Sequence, residues 1–547
     1  MNELKPKLFD VLKSYNKKQF FKDVISGIIV AIIALPLSIA LAIASGVGPV
    51  QGLYTAIVAG FFISVFGGSR VQIGGPTAAF VVIIYGIVAQ YGMDGLTVAT
   101  ILAGIILIIM GICRFGGLIK YIPYTITTGF TCGIGIGIFA GQIKDFLGLS
   151  MKSIPSEFID KMTAYAKNIT TLDTNTVLIG LLALVILIVF PKITDKIPGS
   201  LVAIIVTTLL VYFTELKVDT IGSVYGEISS SLPSFHVPNV NFAMVKNLIS
   251  PAFTIAILAG IESLLSCVVS DGMIGDQHKS NAELVGQGLG NIFSGLFGGI
   301  PATGAIARTA ANVKNGGRTP IAGIVHCITL ALILVILMPL AALIPMTTLA
   351  AVLIMVAWNM CDWSSFFHLI KTAPKSDSIV LLVTFFLTVI FDLVVAIEVG
   401  VVLAALLFMK RMAEVTDVKK WKYIEDVSEE EAESLKDIPR SIRVYEICGP
   451  MFFAAADELL AIHSGNHTKV IIIRMRAVPS IDASAMRFLN DLARRARKKH
   501  ITLIFSHVNE QPMTAMHKDG FDERIGLKNF KPNIVEALDY AKQLIHS

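Results

Sequence analysis

The chain has 547 residues, 54% of them hydrophobic and only 16% charged, against roughly 25% charged in soluble globular domains. Its formal net charge of +5, with no arginine-rich patch carrying interleaved aromatics, argues against nucleic acid as a partner. From Val24 to Met409 long apolar runs alternate with short polar connections, whereas Val415–Ser547 is charged throughout. This segregation excludes a soluble protein of uniform composition and places the first part in a lipid bilayer.

The N-terminal stretch carries Lys5, Lys7, Lys13, Lys17, Lys18 and Lys22. The apolar run behind it is longer than a signal-peptide core and has no small-residue cleavage pattern, so it reads as a first transmembrane helix. A spanning helix needs about 20 mostly apolar residues. The candidates in the first half are Val24–Ala44, Gly52–Phe66, Gly95–Ile112, Ile122–Phe146, Thr176–Phe190 and Leu201–Phe213. In the second half they are Pro251–Val269, Ala282–Leu296, Ile321–Leu343, Leu349–Met360, Ile379–Phe391 and Val394–Met409. Val71–Val88 and Gly304–Val313 are apolar too, but each begins in a glycine and proline cluster. Together these make fourteen spans.

An even count puts both termini in the cytoplasm. The lysine-rich N-terminus, Arg114 with Lys120, Lys192 with Lys196, Lys314 with Arg318, and Lys371 with Lys375 then share one side, as the positive-inside bias expects. The loop Glu215–Asn247 falls on the other side, as does Lys144–Lys167 with its four lysines. Six cysteines (Cys113, Cys132, Cys267, Cys327, Cys361, Cys448) are scattered without a close pair, which gives neither a metal site nor a disulfide framework.

The halves resemble each other. Lys22-Asp23-Val24-Ile25-Ser26 matches Lys246-Asn247-Leu248-Ile249-Ser250. After an offset change of seven residues, Phe62 and Phe66-Gly67-Gly68 match Phe293 and Phe297-Gly298-Gly299. Beyond each Gly-Gly lies a broken segment, Ile73-Gly74-Gly75-Pro76-Thr77 and Ile300-Pro301-Ala302-Thr303-Gly304. Seven spans per half is odd, so the copies have opposite topology, the inverted-repeat plan of secondary transporters.

The domain bounds follow from these patterns. Residues 1–23 form a cytoplasmic segment, and 24–411 the transmembrane domain, with repeats about 24–214 and 251–411. Residues 412–440 form a polar linker with the acidic run Glu429-Glu430-Glu431, and 441–547 a soluble domain. There Ile442–Ile447, Val470–Ile473 and Ile501–Phe505 read as strands, and Ala454–His463, Ala483–Arg497 and Asn533–Ile545 as helices. Alternation of strands and helices indicates an α/β sandwich.

Backbone inside hydrocarbon must bond internally unless it is buried in protein or lines a cavity. Half-helices starting at Thr77 and Gly304 turn unpaired N–H groups and a partial positive charge toward the breaks. Two such ends meeting near the midplane form an anion site. A simple proline kink is the plain alternative for either break alone. Arg308, near the start of the second half-helix, either complements a bound anion or locks the helix to a carboxylate or to carbonyls. Glu262, deep in an apolar span, is a candidate carrier of H⁺ or Na⁺, with Ser266 one turn away on the same face. Its plain alternative is a structural carboxylate paired with Arg308 or backbone. The repeat sets Ser38 opposite Glu262, beside Pro36, which is expected to break the first helix. Asp392 and Glu398 flank a tight turn and read as solvated loop residues.

At these residues the sequence resembles the SulP family of anion permeases. The resemblance covers nearly the whole chain and rests on three stretches. They are Gly52-Leu53-Tyr54, Phe66-Gly67-Gly68-Ser69-Arg70 with Gly75-Pro76-Thr77, and Gly299–Asn312 (GIPATGAIARTAAN) followed by Arg318-Thr319-Pro320. The soluble domain is similar to the family's STAS domain through Gly449-Pro450-Met451-Phe452-Phe453 and Pro479-Ser480-Ile481-Asp482-Ala483-Ser484.

The resemblance implies fourteen spans in a seven-plus-seven inverted repeat. It implies a core that moves elevator-fashion against a gate domain, in a homodimer. It places the anion at Thr77, Ala78, Gly304, Ala305, Ile306, Ala307 and Arg308, lined by Leu37 and Ser38 of the first span, with the coupling ion at Glu262 and Ser266. This sequence has Glu262 where the sodium-coupled bicarbonate members carry Asp, Ile306 where they carry Thr, and Leu37 where many members carry Gln. In the STAS domain, Ser484 matches the phosphorylated serine of anti-sigma-factor antagonists, a regulatory reading open to a cytoplasmic protein partner. The plain alternative is that Asp482 and Ser484 cap the helix that begins there.

The expected function is secondary active transport of a small oxyanion such as sulfate, coupled to H⁺ or Na⁺. Bicarbonate or a C4-dicarboxylate is the alternative cargo. A nucleobase permease and a membrane anchor for a regulatory STAS module are the other classes. No nucleophilic triad, zinc pattern or phosphate-binding loop is visible, so no enzyme and no cofactor beyond the coupling ion is expected. The expected location is a bacterial inner membrane.

Overall fold

The computed structural model describes the chain except residues 1, 118–122, 152–154, 156, 195–197, 227, 240, 392, 421–437, 454–466 and 547. Lys120, Lys196, Asp392, the acidic run Glu429–Glu431 and the helix expected at 454–463 lie outside the described residues. The chain divides into two compact units, Met1–Val401 and Val402–Ser547.

Each segment read as a span contains or overlaps a helix in the first unit or at its end, the two interrupted ones only beyond their breaks. In the first half these are Lys17–Ala44, Pro49–Phe66, Val81–Ile112, Tyr124–Leu147, Thr174–Ile193 and Gly199–Thr214. The second half has Phe242–Ile274, Ser280–Leu296, Ile306–Lys314, Pro320–Ala341, Met346–Met360, Lys375–Ile390 and Leu393–Val415. Among the described residues, eight helices are long and apolar enough to cross a bilayer. Val81–Ile112 holds the latter part of Val71–Val88 and all of Gly95–Ile112, joined through Gly92, whose φ of 65° and ψ of −164° are not helical. Glycine reaches that conformation without a Cβ penalty.

Pro36 does not break the first helix, contrary to the sequence reading. Lys17–Ala44 runs through it without interruption. Proline removes one N–H, and this helix is held on both sides of the defect by neighbours: Ala31, Ala34, Pro36 and Ser38 are all buried. Among the described residues, three short helices between the spans were not evident in the sequence, Phe158–Asn168, Ile221–Tyr225 and Trp363–Thr372. They lie between apolar runs and mix polar with apolar residues, so hydropathy alone does not reveal them.

One end of the bundle is tied by charge. Asp10 bonds Lys5 at 2.6 Å and Lys279 at 2.5 Å, and Lys7 and Arg70 reach Asp276 at 3.1 and 3.6 Å. The buried Asp23 accepts from Thr319 Oγ1 (2.6 Å), Arg318 N (2.9 Å), Gln19 Nε2 (2.9 Å) and Tyr15 OH (3.0 Å). The buried Glu283 accepts from Gly68 N and Ser69 N. The N-terminal segment and the loops after the second and eighth spans therefore share one end, as the charge bias requires.

The repeats meet about a common line. Phe62 and Phe293, equivalent in sequence, stack with centroids 3.9 Å apart and planes 3° from parallel. The helices 95–112 and Ser280–Leu296 approach at Gly104 and Gly288, where a Cβ built on either would lie 2.6 Å from the other's carbonyl oxygen.

The second unit holds a five-stranded sheet. Asp417–Lys420 pairs antiparallel with Ile442–Cys448, followed in parallel by Val470–Ala477, Thr502–Ser506 and Phe530–Lys531. The stretch read as linker thus supplies an edge strand. Helix Ala483–Lys498 buries Met486, Leu489 and Leu492 on one face of the sheet, with Ile471, Ile473 and Phe505. Helix Ile534–His546 buries Ile534 and Leu538 on the other, with Val444, Ile472 and Ile504. The three expected strands and two of the expected helices are present; helices Glu510–Lys518 and Phe521–Ile525 are additional.

Candidate functional site

The two breaks pair with each other. Gly74–Gly75 and Thr303–Gly304 form a two-stranded antiparallel ladder, Gly74 opposite Gly304 and Gly75 opposite Thr303. An antiparallel ladder has a local two-fold axis, the symmetry that an inverted repeat asks of equivalent segments. Backbone groups in the breaks are satisfied locally. Ala305 N donates to Ile73 O (3.0 Å), Gly304 N to Ser263 Oγ (3.0 Å) and Ile73 N to Thr309 Oγ1 (3.1 Å). Asn291 clamps Ala302 by both its amide groups at 2.9 Å, and Thr55 Oγ1 accepts from Ile300 N at 2.7 Å.

From this ladder the chain enters two helix starts. Thr77 precedes the 3-10 turn Ala78–Phe80, and Ala305 precedes Ile306–Lys314; neither start has a side-chain cap. Their first amides are therefore bare donors at a positive helix end. Thr77 and Ala305 are half-buried, Ala78 is buried, and Ile306 and Ala307 are exposed, so the site opens to a space large enough to expose these side chains.

Arg308 is 2% exposed. Its Nη2 donates to Pro76 O at 3.0 Å and lies 3.5 Å from Ser38 Oγ. Nε and Nη1 have no partner, and no carboxylate among the described residues pairs with it. The helix-lock alternative is met only through one carbonyl and one hydroxyl, which leaves the charge uncompensated. Gly75 lies beneath it, and a Cβ there would sit 2.3 Å from Nη1, so a side chain at this position displaces the guanidinium.

Glu262 is half-buried and accepts from Thr77 Oγ1 at 3.1 Å, not from Arg308. Ser266 lies one turn on along the same helix, Phe242–Ile274. Ser266 Oγ donates to Gln72 Oε1 at 2.8 Å and lies 3.4 Å from Thr309 Oγ1. Leu37 is half-buried beside Ser38, whose hydroxyl donates to Ala34 O at 2.8 Å.

Sequence reasoning missed Gln72, Ser263, Thr303 and Thr309. Gln72 Nε2 donates to Ser263 O (3.1 Å), and Ser263 Oγ shares a 2.7 Å bond with Thr303 Oγ1. All four are buried. Their signal was available as polar side chains inside or beside apolar runs, the same signal that singled out Glu262. In the second unit, Asp482 caps Ala483–Lys498 by accepting from Ala485 N (2.8 Å) and also from Phe453 N (3.1 Å). Ser484 is exposed on the first turn.

Paired helix breaks, a buried arginine with free donors and a second, sheet-bearing unit fit a membrane carrier with a C-terminal α/β domain. The chain belongs to the sulfate permease family, whose model matches residues 20–384; a STAS domain matches residues 434–537. It is a multi-pass membrane protein of a family of transporters, and not an enzyme. It is 40% identical over 522 residues to the putative sulfate transporter YvdB of Bacillus subtilis, covering 95% of this chain and 97% of that one. It is 30% identical over 495 residues to the bicarbonate transporter BicA of Picosynechococcus, covering 87% of each. The fold is that of SLC26A9, with a TM-score of 0.89 over 100% of this chain and 93% of that one, at 18% identity.

Proposed function

We propose that the protein carries a small oxyanion, sulfate first, across the bacterial inner membrane, with both termini in the cytoplasm and H⁺ or Na⁺ as the coupling ion. The observation that carries this reading is Arg308, buried with two unpartnered N–H groups beside two uncapped helix starts. An isolated cation costs several kcal/mol to bury, by order of magnitude, and a bound anion supplies the missing partner. Similarity to a putative sulfate transporter and to a bicarbonate transporter supports an anionic cargo.

The anion sits against the N–H groups after Thr77 and Ala305, with Ala78, Ile306 and Ala307 bordering it and Arg308 behind. Glu262 holds the coupling cation, tied to the anion site through Thr77. The ladder and the half-helices move as one body against the gate helices in an elevator cycle, within a homodimer. The STAS domain offers a cytoplasmic partner its exposed Ser484.

Bicarbonate or a C4-dicarboxylate is the second reading, favoured by the relative that carries bicarbonate. Purified protein in liposomes, given labelled sulfate, bicarbonate and succinate with and without each cation gradient, decides between them. Uptake of none of the three removes the anion reading.

A further inference from the structure

His326 lies on Pro320–Ala341 and is fully buried, with neither ring nitrogen bonded. Its helix packs against Lys17–Ala44 and Pro49–Phe66. Ala322, one turn earlier, presses its carbonyl on Gly27 of the first of these helices. Gly323 and Cys327, on either side of His326 along the helix face, meet Ser64 and Ala56 of the second. The imidazole is therefore wedged between both helices, close to Arg308: Ala56, whose carbonyl Cys327 Sγ meets at 3.5 Å, also flanks Gly75, where a Cβ would lie 3.6 Å from Ala56 Cα and 2.3 Å from Arg308 Nη1.

The other titratable groups on the surrounding elements are accounted for elsewhere. On Lys17–Ala44 they are Lys17, Lys18, Lys22 and Asp23, all in its first two turns, Asp23 being held by Thr319 and Arg318 N. Pro49–Phe66 has only Tyr54, bonded to Ser231 O. On the short helix Lys7–Val11, Lys7 and Asp10 are ion-paired with Asp276 and Lys279. The half-helix of Arg308 ends in Lys314, and His326's own helix adds Cys327, directed at Ala56 O.

We propose that His326 is the proton-binding partner of the anion held at Arg308, so that proton and anion load together. This rests on the anion reading above. With the site empty, a proton on the ring faces the Arg308 charge in a medium that screens it weakly, and the ring stays neutral. An anion set against Arg308 cancels that repulsion and favours the protonated ring. By linkage the proton favours the anion by the same factor. The proton comes from water on the side to which the site is open and forms an N–H bond on a ring nitrogen. It returns to water when the anion leaves. No other bond changes. Glu262 serves a separate cation, on the far side of Thr77.

The test uses the full-length protein in detergent, with sulfate as probe in sodium-free buffer. Calorimetry in buffers of different ionisation enthalpy counts protons taken up on binding, and the sulfate Kd is followed from about pH 5 to about pH 8, the range in which histidine titrates. Expected for the wild type is uptake of protons with sulfate, and a Kd that weakens by up to about tenfold per pH unit where the ring titrates. His326→Gln is expected to bind sulfate with Kd flat within about twofold and no proton uptake, and His368→Gln, at an exposed position on Trp363–Thr372, to keep the uptake. Should His326→Gln not elute as a single species, His326→Asn replaces it, and the wild-type proton count still stands as a test. Sulfate binding without proton uptake in the wild type, or with unchanged uptake in the His326 variant, overturns the inference while leaving anion transport intact. Failure of the wild type to bind sulfate, bicarbonate or succinate at any pH sinks the anion reading, and this one with it.

Discussion

Ser38 and Glu262 occupy equivalent places in the two repeats, and each reaches the half-helix of the other. Ser38 Oγ lies 3.5 Å from Arg308 Nη2, and Glu262 Oε2 accepts from Thr77 Oγ1 at 3.1 Å. Symmetric backbone thus carries asymmetric chemistry. One arm brings a cation to a hydroxyl, the other a hydroxyl to a carboxylate.

Arg308→Ala removes the buried charge. A hydrogen bond to a charged group contributes about 1.5–3 kcal/mol, so the KM for anion uptake should rise on the order of tenfold to a hundredfold. Proteoliposome uptake over a concentration series measures it, and an unchanged KM rules Arg308 out of the site.

Gly75→Ala tests the same contact from the backbone side. The added methyl would lie 2.3 Å from Arg308 Nη1 and displace the guanidinium. Uptake should fall toward the level of Arg308→Ala, whereas Gly86→Ala, where a Cβ meets open space, should stay near wild type. Equal activity of the two alanine variants contradicts the placement of Arg308.

Glu262→Gln retains an acceptor for Thr77 but loses the charge. Concentrative uptake driven by a cation gradient should drop by about tenfold or more, as for an intramembrane ionisable group at a transport site, while exchange of labelled for unlabelled anion persists. Gradient-driven uptake at the wild-type level would assign the carboxylate to structure.

Asp482→Ala deletes the cap of Ala483–Lys498 and should cost the STAS domain about 1 kcal/mol, read as a lower melting temperature. Ser484→Ala, at an exposed position outside the cap bond, should change stability by no more than about 0.5 kcal/mol. A large loss from Ser484→Ala would give that hydroxyl a structural role.

Bonds from Lys279 and Lys5 hold the Asp10 carboxyl down to about 2, from an ordinary value of 3.8. Its folded pKa lies below its unfolded one, so the stabilisation is complete above about pH 4 and fades as pH falls toward 2. Proteolysis of the N-terminal segment should therefore accelerate across that window, and Asp10→Asn should show the fast rate at neutral pH. Equal rates for the two proteins at neutral pH would dissociate docking from this carboxylate.

Much of the membrane unit was legible because spanning helices announce themselves by length and hydropathy. The breaks at Gly74-Gly75-Pro76 and Thr303-Gly304 were legible because no other residues interrupt an apolar run so completely. Their mutual pairing was not, since it depends on two segments more than two hundred residues apart meeting in space. Pro36 misled because the rule for proline concerns isolated helices, while tertiary packing decides the outcome here. The partner of Ser266 was hidden for a similar reason. Helical spacing puts both on one face, but Gln72, from another element, captures the hydroxyl. In the STAS domain, alternation revealed the central strands, while Asp417–Lys420 was too short and too charged to read as one.

The contact at Gly104 and Gly288 has a bearing on how any such motion is shared out. With two spans from opposite repeats fitted backbone against backbone, shear inside that pair would force main chain through main chain. Sliding must then occur elsewhere, along seams padded by interchangeable greasy side chains. A methyl group at either glycine acts as a wedge in the keel, and its effect should appear as a stalled cycle with ligand affinity preserved.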